Sequence, residues 1–330
     1  MNNNNEIPIN LNSFLNIESE CSWANDQFCV FETLKKEFYL IFKIDFKIKC
    51  FNLVKMNLSI ELNYIFKKQI TCIRHYNKII KNKDLILICV VNEIKIYDFY
   101  DNFKNIVTID HKKDIIYLLY NSALLYNNLN KNYIIVANFN EKFLELFDFN
   151  GNLIKNFCFD NKKGIHFIDI YYDNQINKTF IITNKGFNNK FEICSYKFEN
   201  ENEIFYNCFK SNKYMKNFQL KRIKNIVFLF TSTKNEIFQY DFHQGILNKK
   251  ITFHDNNIKL NMILIWNENY IFSSSENNQI FLFDINKGIL IKQYKHNKKN
   301  NLSVYGLKTI NIKNKKYLIS QGKDRIIIWK

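Results

Sequence analysis

Apolar and polar residues alternate in short runs along the chain, and these runs recur at a regular interval. In the stretch EIKIYDF, for example, Ile and Lys alternate ahead of Tyr97, and QIFLFDI leads to Phe283 in a similar way. An alternation with a period of two is typical of a β-strand that buries one face. The aromatic residues that close these runs lie 43 to 50 residues apart, at Phe51, Tyr97, Phe147, Tyr196, Tyr240, Phe283 and Trp329.

Each run has further predicted strands around it. A more apolar stretch such as DLILICVV or NIVFLFTS precedes it, and a short stretch such as GILIKQY follows it. A loop rich in Lys and Asn then leads to the next repeat. Four short strands in every repeat of this length are typical of a β-propeller blade. The sequence therefore predicts an all-β chain, a single seven-bladed β-propeller of four-stranded antiparallel blades.

The seventh repeat ends at its third predicted strand. A missing outer strand would leave a row of unpaired backbone groups along the edge of that blade. Residues 7–14 (IPINLNSF) show strand alternation, so we expect them to supply the fourth strand and close the ring. Residues 1–6 are expected to be partly disordered.

The composition is compatible with a large β core. Apolar residues make up 47% and aromatic residues 16% of the 330 residues, while only 7 Gly and 1 Pro are present. Turns usually use more Gly and Pro than this. Asn tolerates the left-handed backbone region and bonds to its own backbone, so we expect Asn to replace them in the turns.

The formal net charge of +16 would suit an acidic protein, a nucleic acid or a membrane surface. Only three of the 47 basic residues are arginines, Arg74, Arg222 and Arg325. Arg provides the bidentate contacts to phosphates and guanine edges, so its scarcity argues against nucleic-acid recognition. A genome rich in A and T would also favour Lys codons, which leaves open whether the charge is functional.

The eight cysteines are expected to be free and mostly buried. None of them forms a CxxC pair, and most lie in apolar runs such as LICVV. The N-terminal residues lack the pattern of a secretory signal, and no apolar run is long enough to span a bilayer. These features predict a cytoplasmic protein, with the nucleus as an alternative.

The chain resembles the WD-repeat family, most clearly in its last repeat, where His296, Ser320, Asp324 and Trp329 have the spacing of the family motif. The resemblance implies that these four residues form a hydrogen-bonded structural brace. The sixth repeat keeps His254 and Ser274 but has Asn278 and Phe283 in place of Asp and Trp. The fifth has Thr231, Asn235 and Tyr240, with no His.

No pattern of catalytic residues is found. Cys72 and His75 could supply two metal ligands, but a zinc site needs three or four. His166 and Asp169 lie three residues apart on a predicted strand, hence on opposite faces. Phosphate-binding glycine loops are missing. We therefore expect no enzyme activity, no cofactor, no metal and no small-molecule substrate.

The loops that lead from one predicted blade to the next are rich in Lys, which predicts a basic surface for an acidic partner. Glu18 and Glu20, in a predicted loop at residues 15–21, would form an acidic notch in it. This lysine rim consists of Lys67, Lys68, Lys112, Lys113, Lys162, Lys163, Lys210, Lys213, Lys298 and Lys299.

The resemblance implies a non-catalytic scaffold that binds other proteins or acidic peptides through its loops, as a monomeric propeller within a larger complex. An alternative is an adaptor for a membrane surface or phosphoinositides that uses the Lys-rich loops. Some propellers bind phosphoinositides through an Arg-Arg pair, and this chain has only Lys221-Arg222 at such a place.

Overall fold

The structure is a computed structural model that describes residues 11–18, 27–44, 47–62, 70–90, 93–110, 120–128, 131–138, 143–158, 164–187, 190–199, 201–215, 217–253, 259–296 and 302–330. These residues form 28 strands in seven four-stranded sheets, and each sheet is one blade. The predicted seven-bladed β-propeller of antiparallel blades is thereby confirmed.

The chain divides into two compact units, Ala24–Tyr206 and Met1–Trp23 with Asn207–Lys330. The first unit contains blades 1 to 3 and most of blade 4, in which the strands follow one another in chain order. Its strands are β2 (Phe28–Glu32), β3 (Phe38–Ile44), β4 (Lys47–Asn52) and β5 (Asn57–Leu62); β6 (Ile70–Tyr76), β7 (Leu85–Val90), β8 (Glu93–Asp98) and β9 (Lys104–Asp110); β10 (Tyr120–Asn128), β11 (Lys131–Asn138), β12 (Phe143–Asp148) and β13 (Leu153–Cys158); and β14 (Gly164–Asp173), β15 (Lys178–Phe187), β16 (Lys190–Glu199) and β17 (Asn202–Ser211).

The second unit contains blades 5 to 7. Blades 5 and 6 are again formed in chain order, whereas blade 7 combines three C-terminal strands with one N-terminal strand. The strands are β18 (Phe218–Ile223), β19 (Ile226–Ser232), β20 (Glu236–Asp241) and β21 (Leu247–Thr252); β22 (Leu260–Ile265), β23 (Tyr270–Ser275), β24 (Gln279–Asp284) and β25 (Ile289–Lys295); and β26 (Val304–Ile312), β27 (Lys315–Gly322), β28 (Arg325–Trp329) and β1 (Ser13–Glu18).

Each aromatic residue that marks a repeat lies on the third strand of its blade.

The blades are joined in the second unit by apolar layers between neighbouring sheets. Phe230 and Phe281 are fully buried in the layer between blades 5 and 6. Phe272 and Trp329 lie in the layer between blades 6 and 7. Burying a side chain of this kind stabilises a fold by about 1.5–3 kcal/mol, so these layers hold the unit together.

The N-terminal strand pairs with the C-terminal strand, as predicted, but it lies further along the chain. It runs over Ser13–Glu18, with Leu15 opposite Ile328 and Ile17 opposite Ile326. Leu15 and Ile17 are half-buried while their neighbours on the other face are exposed. These two side chains set the register because a shift by one residue would expose them. Of the predicted strand, residues 7–10 lie outside the described residues.

The backbone on either side of this pairing is closed as well. The amide of Asn12 donates to the carbonyl of Lys330, and the amide of Lys330 donates back to Asn12, both at 3.1 Å. Glu18 consequently ends a strand rather than lying in a loop, which corrects the predicted loop at residues 15–21. Glu20 lies outside the described residues.

Amide side chains connect the first strands of neighbouring blades. Asn217 both donates to and accepts from the backbone of Ile263 at 3.3 Å, and Asn261 donates to the carbonyl of Val304 at 3.0 Å. In the first unit, Gln27 donates to Ile70 at 2.8 Å. Among the described strands, each first strand lies at the edge of its sheet opposite the outer fourth strand, so the backbone groups on that edge would otherwise lack hydrogen bonds.

Asparagine takes the place of glycine in several turns. The φ angle is positive at Asn82 (64°), Asn177 (51°), Asn278 (58°) and Asn314 (63°). Among side-chain-bearing residues, Asn is one of the few that enters this left-handed region readily. The expectation that Asn forms turns in this glycine-poor chain agrees with these angles.

Candidate interaction surfaces and the buried brace

The blade 7 brace centres on one short hydrogen bond. Trp329 Nε1 donates to Ser320 Oγ at 2.7 Å, and both residues are buried. An indole N–H that leaves water needs an acceptor, and Ser320 on the neighbouring strand supplies it. This bond ties β28 to β27, directly beside the strand that comes from the N-terminus.

His296 packs against the same pair. It is only 3% exposed, and its Nε2 lies 3.4 Å from the carbonyl oxygen of Ser320. A Cβ atom at Gly322 would come within 2.7 Å of the imidazole, so glycine is what allows the ring to fit. Burial lowers the pKa of His296 to about 4, although Ser320 and the nearby charge of Asp324 favour the protonated ring.

Asp324 lies in the turn between β27 and β28. Its Oδ2 accepts from Arg325 Nε at 3.2 Å and from Nη2 at 3.1 Å. His296, Ser320 and Trp329 are thus in contact, while a hydrogen bond between Asp324 and His296 stays a prediction.

The brace is altered in blades 5 and 6. Ser274 Oγ accepts from the amide of Met262 at 3.2 Å, and Thr231 Oγ1 donates to the carbonyl of Asn217 at 2.6 Å. Ser274 therefore bonds to the first strand of blade 6, and Thr231 bonds to the residue just before the first strand of blade 5. In blade 6 the residue at the position of Trp329 is Phe283, whose side chain has no N–H to donate. His254, the remaining predicted member, lies outside the described residues.

A second histidine contact, which the sequence pattern did not predict, lies in the first unit. His75 Nε2 is 2.7 Å from Asp84 Oδ1, and Asp84 also accepts from the amide of Leu34 at 3.0 Å. The imidazole stacks on Phe31 with 4.0 Å between ring centroids. Burial lowers the pKa of His75, while the Asp84 bond opposes that effect. The spacing of nine residues between His75 and Asp84 gave no signal because they meet only when β6 and β7 pair.

Cys72 and His75, weighed as two metal ligands, have different neighbours in the structure. Cys72 is buried, and its Sγ lies 4.0 Å from the carbonyl of Ala123, whereas His75 faces Asp84. Asp169 accepts from the amide of Ile170 at 2.9 Å. The side chain of His166 lies outside the described residues.

Only two residues of the lysine rim fall in the described part of the chain. Lys210 is exposed, and Lys213 Nζ lies 3.0 Å from Glu236 Oε2. The other eight are not described: Lys67, Lys68, Lys112, Lys113, Lys162, Lys163, Lys298 and Lys299. The rim therefore remains a prediction.

Glu236 offsets the charge of Lys213. It is buried and also bonds to Lys250 at 2.8 Å. Burial alone would raise the pKa of Glu236, but the bonds to Lys250 and Lys213 lower it overall. One carboxylate between two ammonium groups leaves Lys213 less able to attract a partner.

A basic surface that the rim prediction did not include lies at the opposite ends of the strands in blades 5 to 7. We call it the first-turn face, because it consists of the turns that join the first and second strands, at residues 221–226, 266–270 and 312–316. These turns contain six basic residues and one acidic residue: Lys221, Arg222, Lys224, Lys313, Lys315, Lys316 and Glu268.

Within the described ranges there is no helix that is long and apolar enough to cross a membrane.

Comparison with known proteins supports the fold. No family model matches the sequence, and no curated protein matches it. Among solved structures, the chain is similar to BBS1N in the crystal structure of its complex with ARL6DN, soaked with mercury. The TM-score is 0.71 at 10% sequence identity, and the match covers 98% of this chain and 97% of that chain. Agreement over nearly the full length at such low identity shows that the two chains share the propeller fold.

Proposed function

We propose that this protein is a non-catalytic scaffold that binds other proteins through the turns and loops of its blades. The likeness to BBS1N carries the proposal, since that propeller matches 98% of the chain and was crystallised in a complex with ARL6DN. Propeller folds commonly serve in this way, although a fold alone does not determine function. The blades hold their turns on rigid sheets, which lowers the entropy cost of binding a partner.

The positions of the histidines support a structural role for them. His75 and His296 are buried, with Asp84 and the Ser320 carbonyl as their respective neighbours. Catalysis by a general base requires an imidazole that can reach a substrate proton. Both rings instead connect strands within the sheets, so the proposal assigns them to stability.

We further propose that the chain is a divergent member of the WD-repeat family. The support comes from blade 7, where Trp329 bonds to Ser320 and His296 packs beside them. That arrangement follows the spacing of the family motif. The other blades keep the strand order but replace parts of the brace, which would explain a weak family signal in the sequence.

Affinity capture of the tagged chain from its source cell, followed by quantitative mass spectrometry, tests the scaffold proposal. We expect at least one protein to co-purify in a fixed ratio. Charge reversal of Lys112, Lys113, Lys162 and Lys163 tests the rim, and unchanged capture by that variant would rule the rim out. A chain that captures no protein in a fixed ratio would contradict the scaffold.

Flotation with anionic vesicles distinguishes the scaffold from the alternative, an adaptor for a membrane surface or phosphoinositides. Binding to phosphates and anionic lipids by Lys-rich loops is electrostatic, so it should weaken steeply as salt is added. Salt-sensitive flotation without protein capture would favour the adaptor over the scaffold.

A further inference from the structure

Lys316 and Trp266 join two turns of the first-turn face. Lys316 Nζ donates to the carbonyl oxygen of Trp266, and the ammonium lies over the indole ring, 4.5 Å from its centroid. Contacts between a cation and an aromatic face are attractive. They hold the Lys316 ammonium in one place, between blades 6 and 7.

Burial lowers the pKa of Lys316 to about 8, and the positive charge of Lys221 on blade 5 adds to this effect. Two ammonium groups close together disfavour each other. The first-turn face therefore concentrates like charges where the fold also restricts access to water.

The five lysines of the first-turn face form no ion pair with a carboxylate within the described residues. Neither Lys221 nor Lys316 has an ion pair there, and the same holds for Lys224, Lys313 and Lys315. Elsewhere in the same unit, Lys213 and Lys250 both form ion pairs with Glu236. An uncompensated pair of this kind would be stabilised by an anion from outside the chain.

We infer that the first-turn face binds a carboxylate-rich segment of a partner protein, whose carboxylates contact the lysines of the face, including Lys221 and Lys316. Five of the six basic residues are lysines, which bind carboxylates as single charges and lack the bidentate fork of arginine. Ile226, 45% exposed at the edge of the face, offers an apolar contact beside them. The ligand class is thus an acidic peptide that also carries apolar side chains. This inference rests on the scaffold proposal and gives it a surface.

The test measures binding of a fluorescein-labelled peptide of alternating Glu and Leu by fluorescence anisotropy at about 0.1 M salt, where the screening length is about 10 Å. The variant is K221E/K316Q, and the control is K234E/K323Q. Lys234 and Lys323 are exposed in turns of the same two blades, at the opposite ends of the strands. Both variants change the net charge equally.

We expect K221E/K316Q to weaken peptide binding by about tenfold or more, and the control to change it little, since exposed charges far from the contact are screened. Equal losses in both variants, a loss confined to the control, or no peptide binding by the wild type would each overturn the inference. So would anionic vesicles that displace the peptide and bind with the same dependence on Lys221.

Two further measurements keep the outcome independent of folding and of the scaffold proposal. The exposed single substitution Lys221→Glu should weaken binding without changing the thermal unfolding curve. Bound peptide should also slow acylation of Lys316 by an amine-reactive reagent, read by mass spectrometry, and unchanged acylation would contradict the placement. Protein capture from cells that does not depend on Lys221 and Lys316 would leave the scaffold standing while this inference fails.

Discussion

Trp329 and Ser320 show how single polar residues stabilise a blade whose interior is mostly apolar. We predict that Trp329→Phe lowers the free energy of unfolding by about 1–3 kcal/mol, because the buried Ser320 hydroxyl loses its donor. Urea unfolding followed by circular dichroism would measure the change.

The double variant Ser320→Ala, Trp329→Phe is the matched control. It removes both partners, so we expect it to cost less than the sum of the two single substitutions. Strictly additive losses would mean that the bond contributes nothing and that only the indole volume matters.

His296 should make the stability of the protein depend on pH in mildly acidic solution. Its pKa is about 4 in the folded chain and near 6.5 in an unfolded one. The unfolded state takes up the proton first as the pH falls, so stability should decline from pH 6.5 to pH 4 and then level off. The loss is about 3 kcal/mol at most.

Comparison with His296→Gln isolates this effect, because carboxylates and His75 titrate in both proteins. The difference in unfolding free energy between wild type and variant should change across that window. A difference that stays constant from neutral pH to pH 4 would show that the pKa of His296 is the same in the folded and unfolded states.

At the scale of strands, β1 depends on two half-buried side chains. We predict that Leu15→Asp with Ile17→Asp detaches this strand and destabilises the protein by about 2 kcal/mol or more, since each carboxylate would be placed against the blade without a partner. Thermal unfolding and limited proteolysis would report the change.

Ser13→Asp with Asn16→Asp adds the same charges to the exposed face of the same strand. This control should leave the unfolding midpoint nearly unchanged. If both variants unfold alike, charge on the strand rather than burial of Leu15 and Ile17 would be responsible.

The strands also show what the sequence could and could not predict. The aromatic residues from Phe51 to Trp329 mark the third strands because their alternation is a local property of the chain. The position of β1 was shifted by several residues, since residues 7–14 and 13–18 both alternate and only the contact with β28 distinguishes them. The contact of His75 with Asp84 depends on the register in which β6 pairs with β7, and that of Lys316 with Trp266 joins segments fifty residues apart. No local sequence pattern predicts either contact.

At the scale of the whole molecule, the backbone bonds between Asn12 and Lys330 allow the chain to be rearranged. We predict that a circular permutant with a short turn joining residues 330 and 11, and new ends between Gln175 and Ile176, folds with an unfolding midpoint close to that of the wild type. The new ends lie in an exposed turn, where insertions and breaks are usually tolerated.

The matched control opens the chain inside a buried strand, between Leu87 and Ile88 of β7. That permutant should fail to fold. Failure of the turn permutant to fold would contradict the pairing of residues 12 and 330. Circular dichroism with size-exclusion chromatography would show whether each permutant folds.

Charge distribution is a property of this scale as well. The net charge of +16 drew attention to loops between blades, whereas the described residues place five lysines without ion pairs at the opposite ends of the strands. Composition alone could not separate these surfaces, because Lys is frequent throughout the chain. The contrast between Lys213, which has Glu236, and Lys316, which has no acid, is visible only in three dimensions.

The pairing of β1 with β28 has a consequence for how the protein is made. Residues 13–18 leave the ribosome well before their partner strand at residues 325–329, which is synthesised about three hundred residues later. At about 5–20 residues per second, β1 lacks its partner strand for tens of seconds, while the blades encoded between the two strands are synthesised. Nascent chains therefore carry an unpaired, partly apolar strand throughout translation, a period in which chaperones would have their greatest effect on the yield of native protein.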